Sequence, residues 1–162
     1  MQNLITEMSL FDSVQPAPPI EVFQLGRDFQ ADSFPEKVSL GVGAYRTDQG
    51  KPWILPVVKK AETILAGQVE AEEINHEYLP VLGLESFTSA ATKMLLGEDS
   101  PALAEKRATG LQALSGTGAL RLGADFLKRI LGYDTVYISA PSWGNHNLLF
   151  RYAGYANIRS YR

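Results

Sequence analysis

The sequence predicts an α/β fold built on a parallel sheet, and three observations lead to it. From Thr109 onward, strand-like runs (109–114, 135–139, 158–161) alternate with helix-like runs (117–131, 147–153) across short connections. The first strand-like run breaks into Ser115-Gly116-Thr117-Gly118-Ala119, a small-residue turn that opens a helix. The composition, 45% hydrophobic and 20% charged over 162 residues, is that of a globular domain of ordinary size. A parallel sheet needs more strands than three and helices on both faces. The sheet is therefore expected to be partial, with the chain cut in mid-domain at Arg162.

The elements follow in order. Residues 1–19 close on Gln15-Pro16-Ala17-Pro18-Pro19, a proline density that favours an extended arm over a folded element. Residues 20–34 mix Val22, Phe23, Leu25 and Phe29 with Asp28 and Asp32, a short helix from about Glu21 that closes before Pro35. Residues 38–45 alternate apolar with small residues like a short strand, and Gly41 and Gly43 suit close backbone approach. Residues 47–52 are a turn by their Asp, Gly and Pro. Pro56 suits the first position of a helix whose Val57, Ala61, Ile64 and Leu65 recur at helical spacing, with Gly67 as a stop. Residues 71–77 are acidic and expected in solvent, and Pro80 and Gly83 mark 75–83 as a loop. A helix from about Leu84 carries Phe87, Ala91, Met94 and Leu95 on one face and stops at Gly97. Ser100-Pro101 starts a short helix over 102–106. In the helix after the turn, Leu120, Ala124, Leu127 and Leu131 share a face, Lys128 and Arg129 suit the negative dipole end, and Gly132 fits the cap. Residues 141–146 are expected as a loop. The domain division this suggests is an arm over 1–19, a segment over 20–55 and the start of a larger domain over 56–162.

Composition narrows the function. A net charge of −3 gives no reason to expect nucleic acid or an anionic membrane as partner. The chain has no cysteine, so disulfide scaffolds and thiolate chemistry are excluded. No apolar run approaches the ~18 residues of a membrane span. Residues 1–19 contain no Lys or Arg and carry Glu7 and Asp12, which fits neither a secretory signal nor a transit peptide and leaves the cytoplasm as the default.

Three chemistries compete for the turn at Ser115. A nucleoside-triphosphate loop needs a lysine at the helix start, and none lies between Lys106 and Lys128. A dinucleotide site needs a third glycine where Arg121 stands, and an acid after the next strand, where Pro141 and Trp143 follow instead. A single phosphate, held by the Ser115 and Thr117 hydroxyls and the Gly116 and Thr117 N–H groups at a positive dipole end, suits the turn better. A monophosphate cofactor such as pyridoxal phosphate meets that description. Trp143, just past the next strand, would face the same crevice at the carboxyl ends of the strands and could stack on a flat ring.

Five segments in order then resemble the aspartate aminotransferases, fold-type I pyridoxal-phosphate enzymes. They are Val38-Ser39-Leu40-Gly41-Val42-Gly43-Ala44-Tyr45-Arg46, Asn75-His76-Glu77-Tyr78-Leu79-Pro80, Leu82-Gly83-Leu84, Ser115-Gly116-Thr117-Gly118-Ala119-Leu120-Arg121 and Pro141-Ser142-Trp143-Gly144-Asn145-His146. The likeness runs from about Pro18 to Arg162 and corresponds to the first two-fifths or so of a family member. It implies the large-domain sheet of that fold, preceded by an arm and a small-domain segment. It implies that Ser115, Gly116 and Thr117 bind the cofactor phosphate, and that Trp143 stacks on the pyridine ring and contacts substrate. His146 matches a histidine behind the aspartate that pairs with the pyridine nitrogen. Tyr78 matches a tyrosine that reaches the cofactor phosphate of the other subunit, so the site is shared in a homodimer. Gly43 and Val42 match a backbone segment that closes over the substrate, and Val22 falls in a mobile segment at the site mouth.

The resemblance also implies transfer of an amino group between L-aspartate and 2-oxoglutarate, giving oxaloacetate and L-glutamate. The family's Schiff-base lysine, its pyridine-nitrogen aspartate and the two arginines that hold substrate carboxylates all fall beyond the position of Arg162. None of Lys37, Lys51, Lys59, Lys60, Lys93, Lys106 or Lys128 stands in the lysine's motif. The chain by itself is thus expected to be inactive. The alternatives are an inactive truncated form that pairs with full-length subunits and, on the pattern of the turn alone, a dinucleotide-binding module.

Overall fold

The computed structural model describes residues 9–17 and 19–162; the remaining residues of the expected arm, 1–8 and 18, lie outside the described residues. The chain divides into two compact units, Met1–Asn75 and His76–Arg162.

In the first unit, 9–14 coil into a turn. The Ser9 N–H donates to Asp12 Oδ2 at 2.9 Å and the Val14 N–H to the Phe11 carbonyl at 2.9 Å. Helix α1 runs Glu21–Ala31. Its end is held by Lys37, whose ammonium donates to the Phe29 and Asp32 carbonyls at 2.6 Å each, a cation at the negative dipole end. Residues 38–45 do not form the expected strand. An alternating pattern specifies a face but not a ladder partner, and only a single antiparallel bridge, Arg46 to Pro52, closes here. That bridge belongs to a tight hairpin. The Thr47 N–H donates to Lys51 O and the Trp53 N–H to Tyr45 O, both at 2.8 Å, around Gly50 at φ 72°. Tyr45 and Trp53 pair their rings at 4.9 Å. Helix α2, Pro56–Glu70, has Pro56 in its first turn and passes through Gly67 rather than stopping there. An exposed glycine inside a helix costs only about 1 kcal/mol against alanine.

The second unit opens on a loop with a tight turn, where the Gly83 N–H donates to Pro80 O at 2.8 Å with Gly83 at φ 90°. Helix α3, Glu85–Leu96, stops at Gly97, whose φ of 86° suits glycine. The short α4, Pro101–Ala104, ends two residues before the expected Lys106. Residues 109–114 do not form the expected strand. Gln112 alone finds a backbone acceptor outside the segment, Leu82 O at 3.0 Å, and one bond is not a ladder. Helix α5, Ser115–Arg129, starts two residues earlier than its periodicity indicates and ends two earlier. The Tyr133 N–H reaches back to Leu127 O at 3.0 Å across Gly132, φ 73°.

Strand β1 (Thr135–Ser139), helix α6 (Gly144–Tyr152) and strand β2 (Asn157–Tyr161) follow. The strands pair in parallel from Thr135–Asn157 to Ser139–Tyr161, as expected, in a two-stranded sheet. Ala124, Leu149, Ala153 and Tyr155 form the core where α5 and α6 meet, flanked by Val136, Phe150 and Ile158. The Tyr155 hydroxyl is satisfied by the Ala124 carbonyl at 3.2 Å, as a buried phenol requires.

Candidate functional site

The N-terminus of α5 is built by one backbone reversal. Leu114 is extended at φ −78°, ψ 94°, and Ser115 then turns left-handed at φ 58°. Gly118 is the first residue whose N–H finds a helical acceptor, Leu114 O at 3.0 Å. The N–H groups of Ser115, Gly116 and Thr117 precede the ladder, and no side chain caps them. A left-handed residue followed by helical ones gathers successive N–H groups into a concavity that suits an anion, with the positive dipole end behind it. A Cβ built on Gly116 would meet no atom within 4 Å, so the concavity is open, and all three residues are exposed. A phosphate fits these donors.

Chain direction sets what stands nearby. α5 leads through a short connection into the start of β1, so its N-terminus points toward the carboxyl end of that strand. α6 begins just past the same strand end. Both helix starts therefore lie on one edge of the unit, the edge where open α/β sheets take ligands. Trp143 stands there as the extended residue before α6 (φ −63°, ψ 125°), its indole 49% exposed and available to a flat ring.

His146 lies in the first turn of α6 and not in a loop as the Pro141 and Gly144 punctuation indicates; its N–H donates to Trp143 O at 2.9 Å. Its ring meets the indole edge-on at 5.5 Å and 85°. His146 Nδ1 shares a 2.8 Å hydrogen bond with Ser142 Oγ. That bond fixes the ring's orientation and leaves Nε2 as its other polar end. Ser142 is the residue sequence reasoning missed. Its signal is a hydroxyl four positions before a histidine across a helix start.

Tyr78 belongs to the same unit and is 95% exposed on the 76–84 loop. Val22, Val42 and Gly43 belong to the first unit. There Val22 is half-buried, and a Cβ on Gly41 would touch its Cγ2 at 3.9 Å, so α1 and the segment leading to Val42 are neighbours. Gly43 has open space around it. A groove of about 540 Å3 runs beside the α5 N-terminus, lined by Phe87, Ala91 and Leu95 of α3 together with Leu111, Ser115 and Gly116. Among the described residues no cluster of three His, Cys, Asp or Glu could hold a metal ion, and no helix is long and apolar enough to cross a membrane.

Parallel β1–α6–β2 topology, with three uncapped N–H groups and an exposed indole on one edge, defines the class of protein: a parallel α/β domain. The chain belongs to the class I and II aminotransferase family, whose model matches residues 35–162. It is 52% identical to the cytoplasmic aspartate aminotransferase of Gallus gallus over 95% of this chain, and 51% identical to that of Caenorhabditis elegans, also over 95%. It spans 38% and 37% of those proteins. Among solved structures it matches the cytoplasmic aspartate aminotransferase of Saccharomyces cerevisiae with a TM-score of 0.82 and 41% identity, covering 94% of this chain and 36% of that one. It also matches an aromatic-amino-acid aminotransferase from Burkholderia pseudomallei covalently bound to pyridoxal phosphate, with a TM-score of 0.83 and 44% identity, covering 95% of this chain and 37% of that one.

Proposed function

We propose that these residues form the phosphate-holding and ring-facing part of an aspartate aminotransferase acting in the cytoplasm, with 20–55 in its small domain and 56–162 opening its cofactor domain. The observation that carries the reading is the left-handed turn at Ser115, which frees three N–H groups at the start of α5. The curated relatives named above support the aspartate specificity.

Pyridoxal phosphate, when bound, supplies an electron sink for carbanion chemistry at an amino-acid α-carbon. This chain's residues hold and orient. The 115–117 N–H groups and the Ser115 and Thr117 hydroxyls take the phosphate. The Trp143 indole lies against the ring and limits its tilt. His146, held by Ser142, supports the group facing the ring nitrogen. Tyr78 extends to the phosphate held by a second copy in a homodimer. Val42 and Gly43 place backbone, unobstructed at Gly43, over the substrate. The family's Schiff-base lysine is not among these residues, so this stretch alone should not carry out the transfer.

The whole protein should exchange the amino group of L-aspartate with 2-oxoglutarate, and Ser115→Ala should weaken pyridoxal phosphate binding about ten- to a hundredfold, the loss of a hydrogen bond to a charged group. Assaying aspartate beside phenylalanine and tyrosine as donors decides the specificity. Faster turnover of the aromatic donors would replace aspartate with the substrate class in the Burkholderia protein's name.

A further inference from the structure

Gln112 makes two hydrogen bonds to the loop that follows Tyr78. Its N–H donates to Leu82 O at 3.0 Å, and its side-chain Oε1 accepts the Leu84 N–H at 2.8 Å. Between those bonds lies Gly83, left-handed at φ 90°, where an added Cβ would stand 2.1 Å from Gln112 Cβ and 2.7 Å from its Oε1. Only glycine fits such an approach. On one side of this clamp, the Pro80–Gly83 turn, closed at 2.8 Å, leads straight back to Leu79 and Tyr78. On the other side, Ala113 and Leu114 are the only residues between Gln112 and the left-handed Ser115. Gly110 anchors the same segment, packed so that a Cβ would lie 2.7 Å from Thr92 Oγ1 and 3.2 Å from Thr88 Cβ of α3.

We propose that Gln112 is a positioning residue that fixes the Tyr78 loop against the phosphate turn at Ser115, so that Tyr78 and the turn are set by one clamp. This rests on the phosphate-site reading above. A group held by the 115–117 turn of one copy and by Tyr78 of another needs both ends placed to well under an ångström. A loop with Tyr78 almost fully exposed gets that precision from its anchor, not from its own packing. The two Gln112 hydrogen bonds supply the anchor.

The test is a double-mutant cycle in the whole protein, read as the dissociation constant for pyridoxal phosphate and as the 31P shift of the bound phosphate. Gln112→Met keeps an unbranched chain of similar length and removes the acceptor. It should weaken binding about fivefold and move the 31P signal, while adding little in a Tyr78→Phe background, because both changes remove one placement. Gln112→Glu keeps an acceptor oxygen for Leu84 and should restore binding toward wild type. Gly83→Ala should reproduce the Gln112→Met loss from the opposite side of the clamp. Independent, multiplying effects of Gln112→Met and Tyr78→Phe would overturn the proposal, as would Gln112→Met binding unchanged where Ser115→Ala binds weakly. If Ser115→Ala also binds unchanged, the phosphate-site reading falls and the clamp's role falls with it.

Discussion

A serine at φ 58° holds a conformation that costs an L-residue on the order of 1 kcal/mol, and Ser115 holds it at the one point where a reversal frees three N–H groups. Ser115→Gly relieves that strain at the expense of a hydroxyl. It should leave the turn in place and raise the melting temperature of the cofactor-free protein while weakening phosphate binding. Ser115→Val, branched at Cβ, should destabilise by about 1–3 kcal/mol in the same melts. A second residue-scale effect lies one face away. The Arg121 guanidinium donates to Asp125 at 2.7 Å, and with Arg129 also near it holds the carboxyl below its ordinary value of 3.8. A lowered carboxyl pKa means the unfolded chain binds the proton first. Its stabilisation is fully present above the ordinary value and lost as the pH falls through the lowered one. An NMR titration of the Asp125 carboxyl carbon should show a midpoint below 3.8, and Arg121→Gln should move it up. The opposite shift would show that burial, which raises it, outweighs the two arginines.

At the scale of elements, what the sequence shows depends on whether a residue's partner is local. The β1–β2 pair is legible because Thr135, Val136 and Ile138 are β-branched and a short helix separates two runs of matching length. The caps at Pro56 and Gly97 are legible because a cap acts within one turn. Residues 109–114 are legible as extended but not as unladdered, since a strand exists only when another offers its backbone. The positions of Ser115 and Trp143 follow from a turn at a strand end. The early start of α6, which carries His146 into a helix, does not follow, because Gly144 punctuates a loop as readily as it opens a helix. Ser142 acts through one hydrogen bond and Gln112 through two, and no periodicity encodes them. Gly110 tests how the 109–114 segment is held. The oxygen 3.0 Å from its would-be Cβ is the Thr88 carbonyl, a backbone atom that cannot rotate aside. Gly110→Ala should therefore push the segment off α3 and destabilise by about 1–3 kcal/mol. Faster amide exchange at the Gln112 N–H, beyond that of neighbouring α3 amides, would locate the damage.

For the molecule as a whole, the decisive fact is where apolar side chains are not covered. The buried hydrophobic residues among those described are Ala124, Ile138, Leu149, Ala153 and Tyr155, all in the second unit and two of them alanines. The described residues of the first unit include none that is buried. In the second unit Met94 is 86% exposed, Leu95 82% and Leu114 90%, and the groove between α3 and the 109–114 segment is lined mostly by apolar groups. Side chains of this size lose about 1.5–3 kcal/mol each by staying in water, and grouped exposure on this scale marks surface that other polypeptide covers. Cooperative unfolding needs a substantial core, and a few buried residues around Tyr155, two of the five being alanines, make a small one. The 162-residue chain produced alone should therefore keep helical far-ultraviolet circular dichroism, bind the dye ANS strongly and melt over a broad range, as loosely packed states do. In the whole protein the same groups should be covered, with ANS binding lost and a sharp transition regained. A sharp transition without ANS binding for the chain alone would mean that it packs these side chains by itself, against the exposure of Met94, Leu95 and Leu114 described here.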